Sequence, residues 1–175
     1  MITMMAELKN NVTGEKSPIK TIFEYSRFGN NMLFKFTCEN SKLFSAYSEH
    51  NEPIYRGDVC EVFICTGEDI NEYYEIEVAP NGTTFFAKIK NNDGKLVASF
   101  LDKSFSSSVT LTESGYDVEI LVPFDAVNAG KHPVRFNAYR IETEGGHENR
   151  HLLALSPTMK PNFHCPESFI PFHYD

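Results

Sequence analysis

The chain has no tryptophan, no CxxC pair, no cluster of lysine and arginine, and no long apolar run; most of these gaps remove a class of function. Asp and Glu number 24 against 16 Lys and Arg, a formal charge of -8. That balance repels phosphate backbones, so the sequence argues against nucleic acid and against an anionic membrane surface as partners. No stretch approaches the roughly 18 apolar residues that a membrane-spanning helix needs. Met1 to Leu8 lacks the basic end and apolar run of a signal peptide, so the chain as it stands reads as cytoplasmic, or extracellular if a leader was removed. The enzyme signatures that are simplest to find are also missing: GxSxG, HExxH, a P-loop, and GxGxxG opening a helix. Haem has no CxxCH attachment site, and most of the six histidines lie in loops or near the ends.

What remains is rich in aromatic residues. The 175 residues include 15 Phe and 8 Tyr within a 41% apolar share, enough for one packed domain. Aromatic and β-branched residues outweigh helix formers, and short alternating runs recur at close spacing, the pattern of an all-β sandwich or barrel. Strands are predicted at 21–25, 32–38, 43–46, 59–66, 73–78, 83–89, 96–100, 107–112, 116–122, 134–141 and 168–172. A single helical turn is expected after Pro123, where proline suits the first helical position. Residues 1–18, ending in Ser17-Pro18, read as an N-terminal arm before a single domain spanning 19–175.

Local chemistry divides the faces. Asn81-Gly82 predicts a two-residue hairpin turn, which would set Val78 against Phe85, Ile76 against Ala87 and Tyr74 against Ile89 on the core side. The other face would pair Glu77 with Phe86, Glu75 with Lys88 and Tyr73 with Lys90. Tyr116, Val118, Ile120 and Val122 alternate inward. In 58–66, Cys60, Val62 and Ile64 oppose Val59, Glu61, Phe63 and Cys65, so both faces are apolar and the strand reads as central, with Glu61 out of place. Cys60 and Cys65 point to opposite faces, and all four cysteines read as buried free thiols.

Three chemistries are open to the acids Glu61, Glu75 and Glu77, with Asp58 nearby. They can form a solvated face with Glu75 paired to Lys88. They can be hydrolytic carboxylates, which need a separation of roughly 5–10 Å across a cleft. They can be acceptors for sugar hydroxyls beside an aromatic face. Gly145-Gly146-His147 reads as a flexible loop, and His164 as a residue that holds the final loop against the sheet.

Four segments carry a resemblance. They are Tyr55–Ile64, Tyr73–Thr83, Asp117–Phe124, and a carboxyl-terminal set comprising Arg135–Ile141, Leu155–Thr158 and Asn162–Phe169. In order and spacing they resemble the family 9 carbohydrate-binding modules across roughly residues 20 to 175. The resemblance implies a two-sheet antiparallel β-sandwich, often with calcium, that holds a saccharide between two tryptophans without breaking a bond. Carried over by position, Tyr55 stands for the first aromatic, Glu61 for the acid, Asn81 for a further polar contact, and Leu155 near the second aromatic; Glu75, from the same acidic group, is a further candidate for hydrogen bonds to the sugar. The sequence departs from the pattern in having no tryptophan. The alternative to a saccharide site is therefore a sandwich kept for a protein partner, with an apolar patch around Tyr55, Phe86 and Leu155.

Overall fold

A computed structural model describes residues 1–40, 42–146, 148 and 150–173. Two antiparallel sheets pack as a sandwich. The strands are β1 (Thr3–Glu7), β2 (Lys9–Asn10), β3 (Thr21–Phe28), β4 (Asn31–Glu39), β5 (Val59–Cys65), β6 (Glu72–Val78) and β7 (Thr84–Asn92). They continue as β8 (Lys95–Phe100), β9 (Ser106–Leu111), β10 (Gly115–Pro123), β11 (Arg135–Glu142), β12 (His151–Ala154) and β13 (Ile170–Pro171). The smaller sheet runs β1-β3-β4-β10-β9; the larger runs β2-β12-β11-β5-β6-β7-β8, with β13 also on β11. No helix among the described residues is long and apolar enough to cross a membrane.

Alternation builds the core. In β4, Met32, Phe34, Phe36 and Cys38 are buried while Lys35, Thr37 and Glu39 are exposed. β10 sends Tyr116, Val118, Ile120 and Val122 inward as its sequence predicts. From the larger sheet come Cys60, Val62, Ile64, Tyr74, Ile76, Val78 and Phe136. Aromatic rings lock the layers, with Tyr25 and Phe136 rings 4.8 Å apart and Phe34 and Phe136 rings 5.7 Å apart. Arg140 ties the sheets at one end: its guanidinium donates to Thr21 Oγ1 (2.8 Å), Glu39 O (2.6 Å) and Glu142 Oε2 (2.6 Å).

The central strands of the larger sheet are buried on both faces, which requires a second cover outside the sandwich. That outer cluster holds Val59, Phe63, Cys65, Tyr73, Phe85, Ala87, Ile89 and Tyr139 from the sheet, Ile54 from a 3-10 turn, and Phe163 and Phe169 from the carboxyl-terminal segment. All four cysteines are free and buried.

Several expectations change. Residues 1–18 do not stand off as an arm: β1 pairs with β3, β2 pairs with β12, and Leu8 is fully buried between the sheets. Apolar Leu8 is what draws the segment in. The predicted strand at 43–46 is an irregular stretch, because Phe44 gives its N–H to Asp58 Oδ2 and its carbonyl to the Asp58 N–H instead of joining a ladder. At 168–172 a 3-10 turn, Pro166–Ser168, precedes a strand of two residues, since Pro166 favours the turn and Pro171 has no N–H to donate. The turn expected after Pro123 forms at Phe124–Val127. The β6–β7 register is one residue away from that of a two-residue turn. Pro80 takes the second position of a turn closed by Gly82 N–H to Ala79 O (2.9 Å), and Gly82, at φ +87°, adds a bulge closed by Ala79 N–H to Thr83 O. Ile76 therefore faces Phe86, Glu75 faces Ala87, and Glu77 faces Phe85.

A candidate ligand cleft on the outer face of the larger sheet

The shift in register has a functional consequence. It turns Phe85 to the outer face beside Glu75 and Glu77, and sends Phe86 into the sandwich. On the outer face, Glu61 lies directly opposite Glu77 on β6 and Tyr139 on β11, while Glu75 lies opposite Phe63 and Ala87. Three acids thus share one patch of an otherwise apolar sheet surface. One carboxylate oxygen from each of Glu61, Glu75 and Glu77 lies within 4.8 Å of the others, and all three residues are buried.

Above this patch is a cleft of about 480 Å³. Tyr55, Phe85, Phe100 and Leu152 form its apolar walls; Glu61, Glu75, Arg150, Asn162 and His164 bring polar groups to it. Tyr55 and Phe100 keep 40% and 62% of their surface open, so their rings are available to a ligand. Arg150 is set by a hydrogen bond from Nη1 to the Tyr55 carbonyl (2.8 Å). The carboxyl-terminal segment is pinned from below: Phe163 stacks on Tyr139 at 4.3 Å, and the Tyr139 hydroxyl donates to the Phe163 carbonyl (3.0 Å). His164 both anchors this segment, through a 2.7 Å hydrogen bond between Nδ1 and the Tyr73 hydroxyl, and lines the cleft.

Burial dominates the electrostatics. It lifts the Glu75 carboxyl to about 7. Glu61 is pushed well above the usual carboxylate range by burial and by the Glu75 charge, against a smaller opposing pull from Arg150. Glu77 is pushed up by burial, then by Glu61 and Glu75. No donor reaches either oxygen of Glu77; the neighbour left to it is the Glu75 carboxyl, and two carboxyls bond only when one carries a proton. Burial lowers His164 to about 4, so its Nε2, 4.0 Å from Glu75 Oε1, makes no ion pair near neutrality.

Of the residues singled out in the sequence, Tyr55, Glu61 and Glu75 are brought together on the cleft. Asn81 is not: its side chain accepts from the Thr83 N–H (3.0 Å) and donates to the Tyr47 carbonyl (2.9 Å), closing the hairpin. Leu155 is not either, because alternation along and just past β12 turns Leu152 and Ala154 outward and Leu153 and Leu155 inward. The patch envisaged for a protein partner is not assembled, since Phe86 and Leu155 pack into the sandwich and Tyr55 does not. Glu75 has no Lys88 partner; Lys88 faces Tyr74. His147 of the predicted glycine-rich loop lies outside the described residues. The residues that sequence reasoning missed are Phe100, Arg150, Asn162 and Leu152, which reach the cleft from an edge strand, loops and a short strand.

The calcium ion implied by the family resemblance finds little provision. Asp58 and Glu142 are the other buried acids among the described residues, but donors already occupy them. Asp58 accepts from Thr143 N and Oγ1 and from Asn40 and Phe44, and Glu142 accepts from Arg140 and Asn40. The Glu61, Glu75 and Glu77 oxygens would be three of the six to eight that calcium takes, and the residues facing them across the strands are Tyr139, Phe63, Phe85 and Ala87.

No family sequence model matches the chain, and no curated protein does. Solved structures do match in fold. A proposed carbohydrate-binding protein from Bacteroides uniformis superposes with a TM-score of 0.81 at 15% identity, over 98% of this chain and 86% of that one. A family 9 carbohydrate-binding module from Caldicellulosiruptor kristjanssonii gives 0.67 at 14% identity in complex with cellotriose, over 98% and 82%. With glucose it gives 0.69 at 15%, over 97% and 84%. The chain therefore has the two-sheet sandwich fold of these carbohydrate-binding modules.

Proposed function

We propose that the cleft on the larger sheet binds a small saccharide or the end of a saccharide chain without breaking a bond. The observation that carries this reading is the meeting of exposed aromatic rings, Tyr55 and Phe100, with hydrogen-bonding side chains in one cleft of small-ligand size. Aromatic rings suit the C–H faces of a pyranose, and Glu61, Glu75, Arg150 and Asn162 supply acceptors and donors for its hydroxyls. Modules of this fold holding cellotriose and glucose support the same ligand class. The acids favour binding over hydrolysis, since they sit side by side on one sheet face rather than flanking a bond.

Isothermal titration of the full chain against mono- and disaccharides tests the proposal. A binding sugar should lose roughly tenfold or more in affinity with Tyr55→Ala, as expected for a lost stacking partner. Glu61→Gln should weaken it as well, whereas Glu119→Gln, on the exposed face of the smaller sheet, should leave it unchanged. Absence of heat across the panel, or equal loss in all three variants, would refute the proposal.

A further inference from the structure

Resting on the saccharide reading, we infer that the recognised sugar carries a cationic amine, seated against the Glu61 and Glu75 carboxyls that line the cleft, with Glu77 behind them: the ligand is an amino sugar. Neutral hydroxyls do not answer this arrangement. Three acids converge within 4.8 Å, and the deepest, Glu77, is fully buried with no N–H or hydroxyl donor on either oxygen, only the Glu75 carboxyl beside it. A buried carboxylate is costly unless it is paired, and an acid left without a donor loses its full hydration. Hydroxyls can occupy lone pairs but bring no charge. Among the residues lining the cleft, Arg150 is the one permanent cation, and part of its guanidinium is engaged with the Tyr55 carbonyl.

An alkyl ammonium suits this arrangement, bringing one positive charge and three N–H donors to the carboxyls that line the cleft. The aromatic walls add to this preference, because ring faces attract an organic cation. Without such a ligand the three acids hold their protons more tightly than exposed carboxyls do, because the site that crowds them together is buried. Seating an ammonium therefore displaces protons into solution, which seating a hydroxyl does not.

The test is calorimetric titration of the full chain with matched pairs in EDTA at pH 7: glucosamine against glucose, galactosamine against galactose, and the glucosamine disaccharide against cellobiose. The amino member should bind at least about tenfold more tightly than its neutral twin, and N-acetylation should abolish the preference. Repeating the titration in buffers of different ionisation heat should reveal proton release with the amine alone. Glu75→Gln and Glu77→Gln, which keep the side-chain volume, should each reduce the preference. A neutral twin that binds as tightly or more tightly overturns the amine and leaves the saccharide reading standing. So does binding that requires added calcium or magnesium, which would assign the acids to a metal. A preference that survives both Gln variants overturns the placement of the amine, and silence from both members of every pair overturns the saccharide reading as well.

Discussion

Replacing Glu75 by Gln should make the protein more resistant to alkaline conditions, by an amount that follows from where the side chain sits. Glu75 is 6% exposed, and its carboxyl is lifted from about 4.5 to about 7, chiefly by burial. Below pH 4.5 the folded and unfolded chains both hold the proton, and burial carries no charge penalty. Between 4.5 and 7 the unfolded chain has released its proton while the folded chain keeps it, so each rise in pH favours unfolding. Above 7 the penalty is complete, at about 3 kcal/mol for a shift of this size. Gln has nearly the same shape and no charged form. The variant's stability relative to the native protein should therefore rise by about 3 kcal/mol between pH 4 and pH 8, or about 6–12 °C in melting temperature for a chain of this length. That is a minimum, because losing the Glu75 charge also relieves Glu61 and Glu77, both of which it pushes up. Arg150, which pulls the other way on Glu61, and Tyr73 beside His164 remain in both proteins. So does His164, whose burial-lowered titration near 4 gives the opposite slope on the acid side and largely cancels in the comparison. Urea unfolding of both proteins at half-unit steps of pH measures the difference. A gap constant to within about 0.5 kcal/mol from pH 4 to 8 would show that the acids are not buried together as described.

Two further substitutions test the frame that holds the cleft. Arg140→Met should cost about 3–5 kcal/mol in urea unfolding, since it strands the buried Glu142 carboxylate and the Glu39 carbonyl; a loss below 1 kcal/mol would mean the ion pair is not closed. Leu8→Ala should cost about 2–5 kcal/mol, the usual range for a fully buried leucine. A neutral result at Leu8 would restore residues 1–18 to the status of a loose arm.

Much of the sandwich is legible in the sequence because its strands obey a period of two. β5 shows its two apolar faces directly, and Glu61 stands out in it as the acid that does not fit; in the structure it lines the cleft. The hairpin register was harder to read, and the reason is local. Asn81-Gly82 favours a turn with positive φ at both residues, yet Pro80 beside it is shaped for the second position of a longer turn, and the structure follows Pro80. One residue of slip then exchanges Phe85 with Phe86 and removes Lys88 as the partner of Glu75. Leu155 illustrates a second limit. Similarity of position put it near the aromatic wall, but alternation continuing past Ala154 turns it inward and hands the outer face to Leu152. Phe100 reaches the cleft with Leu96 and Ala98 at the period of two of β8, whereas Arg150 and Asn162 leave no periodic trace, because packing of two loops rather than local pattern brings them there.

The missing tryptophans take on a different meaning once the cleft is in view. Tyr55 and Phe100 provide smaller rings than indole, so on the proposed saccharide reading stacking would contribute less than a pair of tryptophans. At the same place the sheet carries three buried acids, a costly arrangement that packing alone does not require, since Phe, Val or Ile at those positions would complete the outer cluster. On the proposed amino-sugar reading, discrimination comes from charge more than from stacking. Stacking tolerates any flat sugar face, whereas a buried acid cluster separates ligands by whether they bring a cation, and leaves the neutral twin with polar groups unanswered. The sheet sets the geometry of the acid cluster: opposing strands hold Glu61 against Glu77 through the backbone ladder, so the acids cannot move apart, and an ammonium would find them already assembled.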